Sequence, residues 1–265
     1  MSLDEKNMPK MHDYLTGFEK YNSELPIYVE KPFTENQIKE LRACIEANRK
    51  LIDDPGYVLV PGDHEEYYGP TRFHPKKIAH MSRLMIEFEC PKEIEETMDA
   101  YCMPLYKDPI RLTHYNYIDY NLKYGSGQVP SLSPHIDADE NLVTFNYQIG
   151  GNVDDWTIWV DDKPYDLKNG DAIIFSAVNQ VHWRSKRNWK PGEFVEIVSF
   201  DYCLPTSYRW TGEDNPIDPM KFPEERAAYG VKVSEHPKIQ KAWNIYRNTG
   251  LKDGIMPESN GRIIN

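Results

Sequence analysis

From residue 110 to residue 203 the chain runs as short segments of alternating character that stop at turn residues. The stretches 110–117, 142–149, 156–160, 172–175, 180–183 and 194–200 are rich in β-branched and aromatic side chains. Gly150-Gly151, Asn169-Gly170-Asp171 and Pro191-Gly192 punctuate them. Successive side chains of a strand point to opposite faces, so many short strands of this kind must bury their inner faces together, as a sandwich or a barrel.

Inside this run lies His135-Ile136-Asp137, and His182 follows after room for several antiparallel strands. Residues two apart on a strand share a face, so the ring and the carboxylate point the same way. Two imidazoles and one carboxylate are the donor set that holds a non-haem ferrous ion on one side and leaves the other side open. Each piece has a plainer reading. His135 with Asp137 is also what a strand-edge histidine beside an acid looks like, and His182 could be a satisfied core histidine. The other six histidines (His12, His64, His74, His80, His114 and His236) show no such pattern.

The order Tyr115-Asn116, His135-x-Asp137, Asn169-Gly170-Asp171-Ala172-Ile173-Ile174-Phe175, His182 resembles the 2-oxoglutarate- and Fe(II)-dependent dioxygenases, in particular their prolyl-hydroxylase-like branch. The resemblance covers roughly residues 109 to 203, about a third of the chain, and it is one of motif order. It implies a mainly β fold, a double-stranded β-helix (jelly-roll barrel) with helices packed on one side. It also implies that His135, Asp137 and His182 hold Fe(II), with 2-oxoglutarate and O2 as cosubstrates and succinate as a product. Related halogenases replace the carboxylate ligand with a small residue. An acid at Asp137 therefore points to hydroxylation, desaturation or ring closure, and a hydroxylase acting on a small molecule or amino acid is the expectation.

In one place the sequence departs from the family. A basic residue, usually about ten positions past the distal histidine, binds the far carboxylate of 2-oxoglutarate there, and this chain has Phe194. Arg184, Lys186, Arg187 and Lys190 come earlier and are expected on the connecting loop. Arg111, Thr113 and Tyr115 share a strand face by alternation, and the family's Tyr at this place faces the barrel. Arg111 is therefore the expected carboxylate anchor, with Thr113 and Tyr115 beside it, since a planar guanidinium matches a carboxylate fork. The alternative places Arg111 at the strand's outer end, paired with a surface acid. Phe194 also keeps open an Fe(II) oxygenase that does not use 2-oxoglutarate. A metal-free jelly-roll binding module is the third reading.

The net charge of −11 argues against a nucleic-acid partner, whose phosphates call for Lys and Arg patches. Asp139-Glu140, Asp154-Asp155 and Asp161-Asp162 are either a solvated face or an attraction for a cationic substrate. No stretch approaches the length of apolar residues that a membrane span needs. Residues 1–6 lack an apolar signal core, and the four cysteines follow no zinc or disulfide spacing, so a cytoplasmic setting is expected.

The chain of 265 residues is expected to form one oxygenase domain: a mostly helical part over 1–105, the barrel over 106–204 and a C-terminal extension over 205–265. Thr34-Glu35-Asn36-Gln37 matches a capping box, and the apolar spacing that follows predicts a helix over 35–52. Further helices are expected over 76–88, 92–104, near 222–226 and over 236–248, and a short strand over 56–60. Residues 1–30 read as irregular. Asn146, Gln148, Trp159, Trp183, Tyr117 and Tyr120 are candidates to line the pocket or to fill the core. Arg72 and His74 read as a surface loop that could cover the site.

Overall fold

Thr34 and Gln37 close the capping box: the Gln37 N–H donates to Thr34 Oγ1 at 3.3 Å, and the Thr34 N–H donates to Gln37 Oε1 at 2.9 Å. Helix α1 (Glu35–Ile52) starts there and buries Leu41 and Ile45, four residues apart on one face. Helix α2 (Lys92–Cys102) buries Ile94, Met98 and Cys102 at the same spacing and ends in a single 3-10 turn. These positions come from a computed structural model that describes residues 24–52, 60–61, 78–80, 83–106, 109–124, 129–137, 141–205, 207 and 234–248.

Twelve strands form two sheets among the described residues. They are β1 (Ile27–Val29), β2 (Val60–Pro61), β3 (Ile78–His80), β4 (Arg83–Glu87), β5 (Arg111–Asn121) and β6 (Leu132–His135), followed by β7 (Val143–Gly151), β8 (Ile158–Val160), β9 (Lys163–Tyr165), β10 (Ala172–Phe175), β11 (His182–Arg184) and β12 (Phe194–Cys203). The large sheet has the order β1-β10-β7-β12-β5-β4-β3-β2, and the small one β6-β11-β8-β9. From β5 to β12 the chain passes back and forth between the sheets, and every pairing among these strands is antiparallel. That is the winding of a double-stranded β-helix, with two sheets that do not close into one.

Alternation sorts the side chains into layers. One face of the large sheet offers Leu84, Ile86, Tyr117, Val143, Phe145, Tyr147, Val198 and Phe200 to α1 and α2. Phe33 meets Tyr147 edge-on at 4.8 Å in this layer. The opposite face turns toward the small sheet, with Tyr120, Trp156, Trp189, Val195 and Ile197 in one cluster and Ile158, Val160, Ile173 and Phe175 in another. Helix α3 (Pro237–Asn248) covers the outer side of the small sheet through Ile239, Ala242 and Tyr246, against Ile136, Val181 and Trp183. No helix among the described residues is long and apolar enough to cross a membrane.

The expected helix over 76–88 is a correction. Its span holds β3 and β4, because Leu84, Ile86 and Phe88 alternate onto one buried face and β4 pairs with β5 from Arg83↔Tyr120 to Glu87↔Asn116. The helical spacing of Ile78, Met81, Leu84 and Met85 lost to ladder pairing with a strand remote in sequence, since strand formation follows packing and pairing context rather than local pattern. The region read as irregular over 1–30 contains β1, which adds to the sheet edge beside β10. The helices over 35–52, 92–104 and 236–248 stand. The helix near 222–226, most of the strand over 56–60, Arg72 and His74 lie outside the described residues.

Phe200 is fully buried and meets both Phe33 and Phe145, so truncation leaves a cavity between the sheet and its helices. Phe200→Ala is expected to lower stability by about 3–5 kcal/mol, read as an earlier urea midpoint at unchanged slope.

Candidate metal centre

Strand β6 ends at His135 and β11 begins at His182, and these two residues are register partners in the small sheet. Directly opposed residues of an antiparallel pair point to the same face. The two rings accordingly sit 4.1 Å apart between centroids. His135 Nδ1 lies 2.7 Å from the Ser133 carbonyl oxygen, and His182 Nδ1 lies 3.1 Å from that of Gln180. A carbonyl only accepts, so both Nδ1 atoms carry the proton and both Nε2 atoms present a lone pair.

Asp137 lies just past the end of β6, where its N–H donates to the Ala177 carbonyl at 2.9 Å. Its Oδ1 stands 3.6 Å from His135 Nε2 and 3.7 Å from His182 Nε2. Its Oδ2 accepts from Asn141 Nδ2 at 3.0 Å, which fixes the plane of the carboxylate. The three donor atoms lie within 4.8 Å of one another. Two bonds of about 2.0–2.2 Å span up to about 4.4 Å, which accommodates the 3.6 and 3.7 Å separations between Asp137 Oδ1 and the two imidazole nitrogens. Ile136 points the other way, into the layer under α3. Burial, then the neighbouring His182, and further on Arg83, push the His135 imidazolium well below its ordinary range. The neutral ring, the form that binds a metal, is thereby favoured.

The residues expected to anchor a carboxylate are elsewhere. Arg111 is exposed at the first position of β5. Thr113 Oγ1 donates to the Asp201 carbonyl at 3.3 Å, at an irregularity in the β5–β12 register. Tyr115 packs against Phe88 on the face that carries the helices. The set does not converge because Tyr115 faces the helices rather than the barrel interior, and the irregularity at Thr113 puts Arg111 out of phase with it. Beyond it, the residues turned toward the small sheet are Asn116, Ile118 and Tyr120, while Tyr115 and Tyr117 face the helices. Tyr120 therefore faces the interior. Trp159 and Trp183 stack on the outer side of the small sheet, 5.5 Å apart and nearly parallel. Asn146 is on the inner face of β7, with a buried Oδ1 that meets no hydrogen-bond donor among the described residues.

Arg184, expected on a loop, is instead the last residue of β11 and is 1% exposed. Burial pulls its guanidinium down to about 10, so it stays a cation at neutral pH. The signal was present in the sequence: His182 and Arg184 are two apart, with Trp183 between, so one more residue of strand puts both on the same face.

Comparison with known proteins gives no matching family model and no matching curated protein. Solved structures do match. The non-haem α-ketoglutarate-dependent epimerase SnoN from nogalamycin biosynthesis is 12% identical over 74% of this chain and 84% of its own, with a TM-score of 0.47. HygX from Streptomyces hygroscopicus, solved with nickel, 2-oxoglutarate and hygromycin B bound, is 9% identical over 73% and 87%, with a TM-score of 0.46. A prolyl hydroxylase from Trichoplax adhaerens, in complex with a hypoxia-inducible-factor peptide, is 12% identical over 79% and 94%, again at 0.46. At such low identities and scores these are likenesses only, and the reading of the centre rests on its donors.

Asn141→Ala frees the Asp137 carboxylate to rotate and is expected to weaken Mn(II) binding by about tenfold or more. Asp137→Ala should weaken it further, by removing a donor outright. Anaerobic metal titration with a tryptophan-fluorescence or calorimetric readout checks both.

Proposed function

We propose that this chain is a non-haem Fe(II)- and 2-oxoglutarate-dependent oxygenase, a hydroxylase acting on a small molecule or an amino acid. The observation that carries this reading is the convergence of His135 Nε2, His182 Nε2 and Asp137 Oδ1, with both imidazole protons held on the far side by backbone carbonyls. Three donors on one face leave the remaining positions of a six-coordinate ion open. Iron and 2-oxoglutarate, when bound there, supply the oxidising power that puts one oxygen atom of O2 into succinate and the other into substrate.

The chain's own part is positioning and exclusion. Ser133 and Gln180 fix the two tautomers, Asn141 fixes Asp137, and Phe175 packs against the His182 ring at 4.8 Å. An aromatic wall on that side keeps water away from the ligand and stiffens its orientation. Asp137 fills the third protein position, which supports hydroxylation rather than halide transfer.

The acidic pairs bear on the substrate's charge. Asp155 is ion-paired with Arg187, Asp162 with Lys241, and Asp161 Oδ1 lies 3.9 Å from Lys238. Cations of the chain itself thus offset three of these acids, which favours the reading of a charged outer face. Asp139 and Glu140 lie outside the described residues.

Protein loaded with Fe(II) under argon and then given 2-oxoglutarate and O2 is expected to form succinate, slowly without substrate and faster with one. His182→Ala should bring succinate to the level of free iron. Succinate that forms equally well in His182→Ala would refute the reading. Tight iron binding with no succinate under any condition would favour an oxygenase independent of 2-oxoglutarate.

A further inference from the structure

Strand β11 sends alternate side chains to opposite sides of the small sheet. Trp183 goes out, stacked on Trp159 beneath α3. His182 and Arg184 go in. The Arg184 guanidinium lies 4.8 Å from the Trp156 ring centroid, in the layer that also holds Tyr120, Trp189, Val195 and Ile197. Its Nη1 donates to the Trp156 carbonyl oxygen at 2.9 Å. Its Nε and Nη2 are buried and meet no acceptor among the described residues.

Those two nitrogens share one edge of the guanidinium fork, and their N–H bonds run parallel. This is the edge that receives a carboxylate through two hydrogen bonds. Among the described residues no carboxylate stands within ion-pair distance of it. A buried cation with two unmet donors is costly, which makes the site a strong receptor for an anion that arrives with its own desolvation offset. The walls are apolar and aromatic, and β12 contributes Val195 and Ile197 to them rather than a cation.

Two residues along a strand is a separation of about 6.6 Å. A five-carbon 2-oxo dicarboxylate held by its keto acid beside His182 would extend its second carboxylate over a comparable length, on the face to which Arg184 also points. We infer that Arg184 grips the distal carboxylate of such a cosubstrate through its Nε and Nη2 edge, so that the anchor stands on the same strand as the distal histidine. This rests on the oxygenase reading above. It assigns the cation whose usual place is taken by Phe194, and it does so on β11 rather than β12. Charge agrees: the dianion and Asp137 together balance a divalent ion and Arg184.

The test uses the full chain loaded with Mn(II), which removes turnover, and measures keto-acid binding by calorimetry. Pyruvate carries the same chelating end as 2-oxoglutarate without the distal carboxylate. Wild-type protein is expected to bind 2-oxoglutarate at least about tenfold more tightly than pyruvate. Arg184→Met should lose that preference, with 2-oxoglutarate falling to the pyruvate level and pyruvate itself unchanged. Arg184→Lys, which keeps the charge without the fork, should lie between them. Mn(II) affinity and circular dichroism confirm that each variant is folded.

Retention of the preference in folded Arg184→Met would overturn the inference and leave the oxygenase reading in place, as would its loss in Arg111→Met instead. Equal wild-type affinity for the two keto acids would overturn it without recourse to any variant. Binding of neither keto acid by the Mn(II) protein would overturn both readings together.

Discussion

The centre depends on one antiparallel register, His135 opposite His182. A slip of a single residue would turn one ring outward and bring Ile136 or Trp183 to the metal position, because side chains on a strand alternate. The register is held from both sides. On one flank β11 pairs with β8 through Trp183↔Trp159 and Arg184↔Ile158. On the outer face the Trp159–Trp183 stack and the apolar side of α3 penalise any shift that would expose them. Strand β6 is a short edge strand and tolerates Pro134, which cannot donate to a ladder on its free side.

The same alternation divides the large sheet into an insulated face and a working face. Phe145, Val198, Phe200 and Tyr202 are sealed under the helices. Their neighbours Thr144, Asn146, Ser199 and Asp201 turn the other way. Thr144 Oγ1 donates to Asp201 Oδ1 at 2.7 Å, so part of this polar surface is satisfied internally. Asn146 Oδ1 and two nitrogens of Arg184 find no partner among the described residues. Buried polar atoms without partners cost on the order of 1–3 kcal/mol each, and a fold carries that cost most readily where a ligand relieves it. Asn146 and Arg184 turn to the same inner side as His135 and His182, where a bound ligand would relieve that cost.

Much of this could be read along the chain, and the errors have a common cause. The barrel strands, helix α1 and the candidate donor cluster follow from local rules: period two, a capping box, and two imidazoles with a carboxylate. Strands β3 and β4 did not, because four apolar residues in that window also fit a helical spacing and the deciding partner, β5, is remote. The residues expected to anchor a carboxylate were likewise placed by a rule that reaches only along the strand. Alternation ties Arg111 to Tyr115 but does not say which layer Tyr115 meets; it meets the helices, and the register shift near Thr113 then separates Arg111 from its phase. On β11 the opposite slip occurred: ending the strand at Trp183 consigned Arg184 to a loop, when one further residue buries it.

Sequence alone determined which chemical groups were present and which faces they would share over short distances, since both follow from covalent order and backbone geometry. Those are the donors His135, Asp137 and His182, the alternating strands and the capped helix. Only the tertiary structure decided which way each shared face pointed and which partner it met. Sheet pairing, bulges and burial are set by contacts between segments far apart in the chain. That is why Tyr115 lies under the helices and Arg184 lies inside the barrel, although the order of residues gave no preference between the two sides.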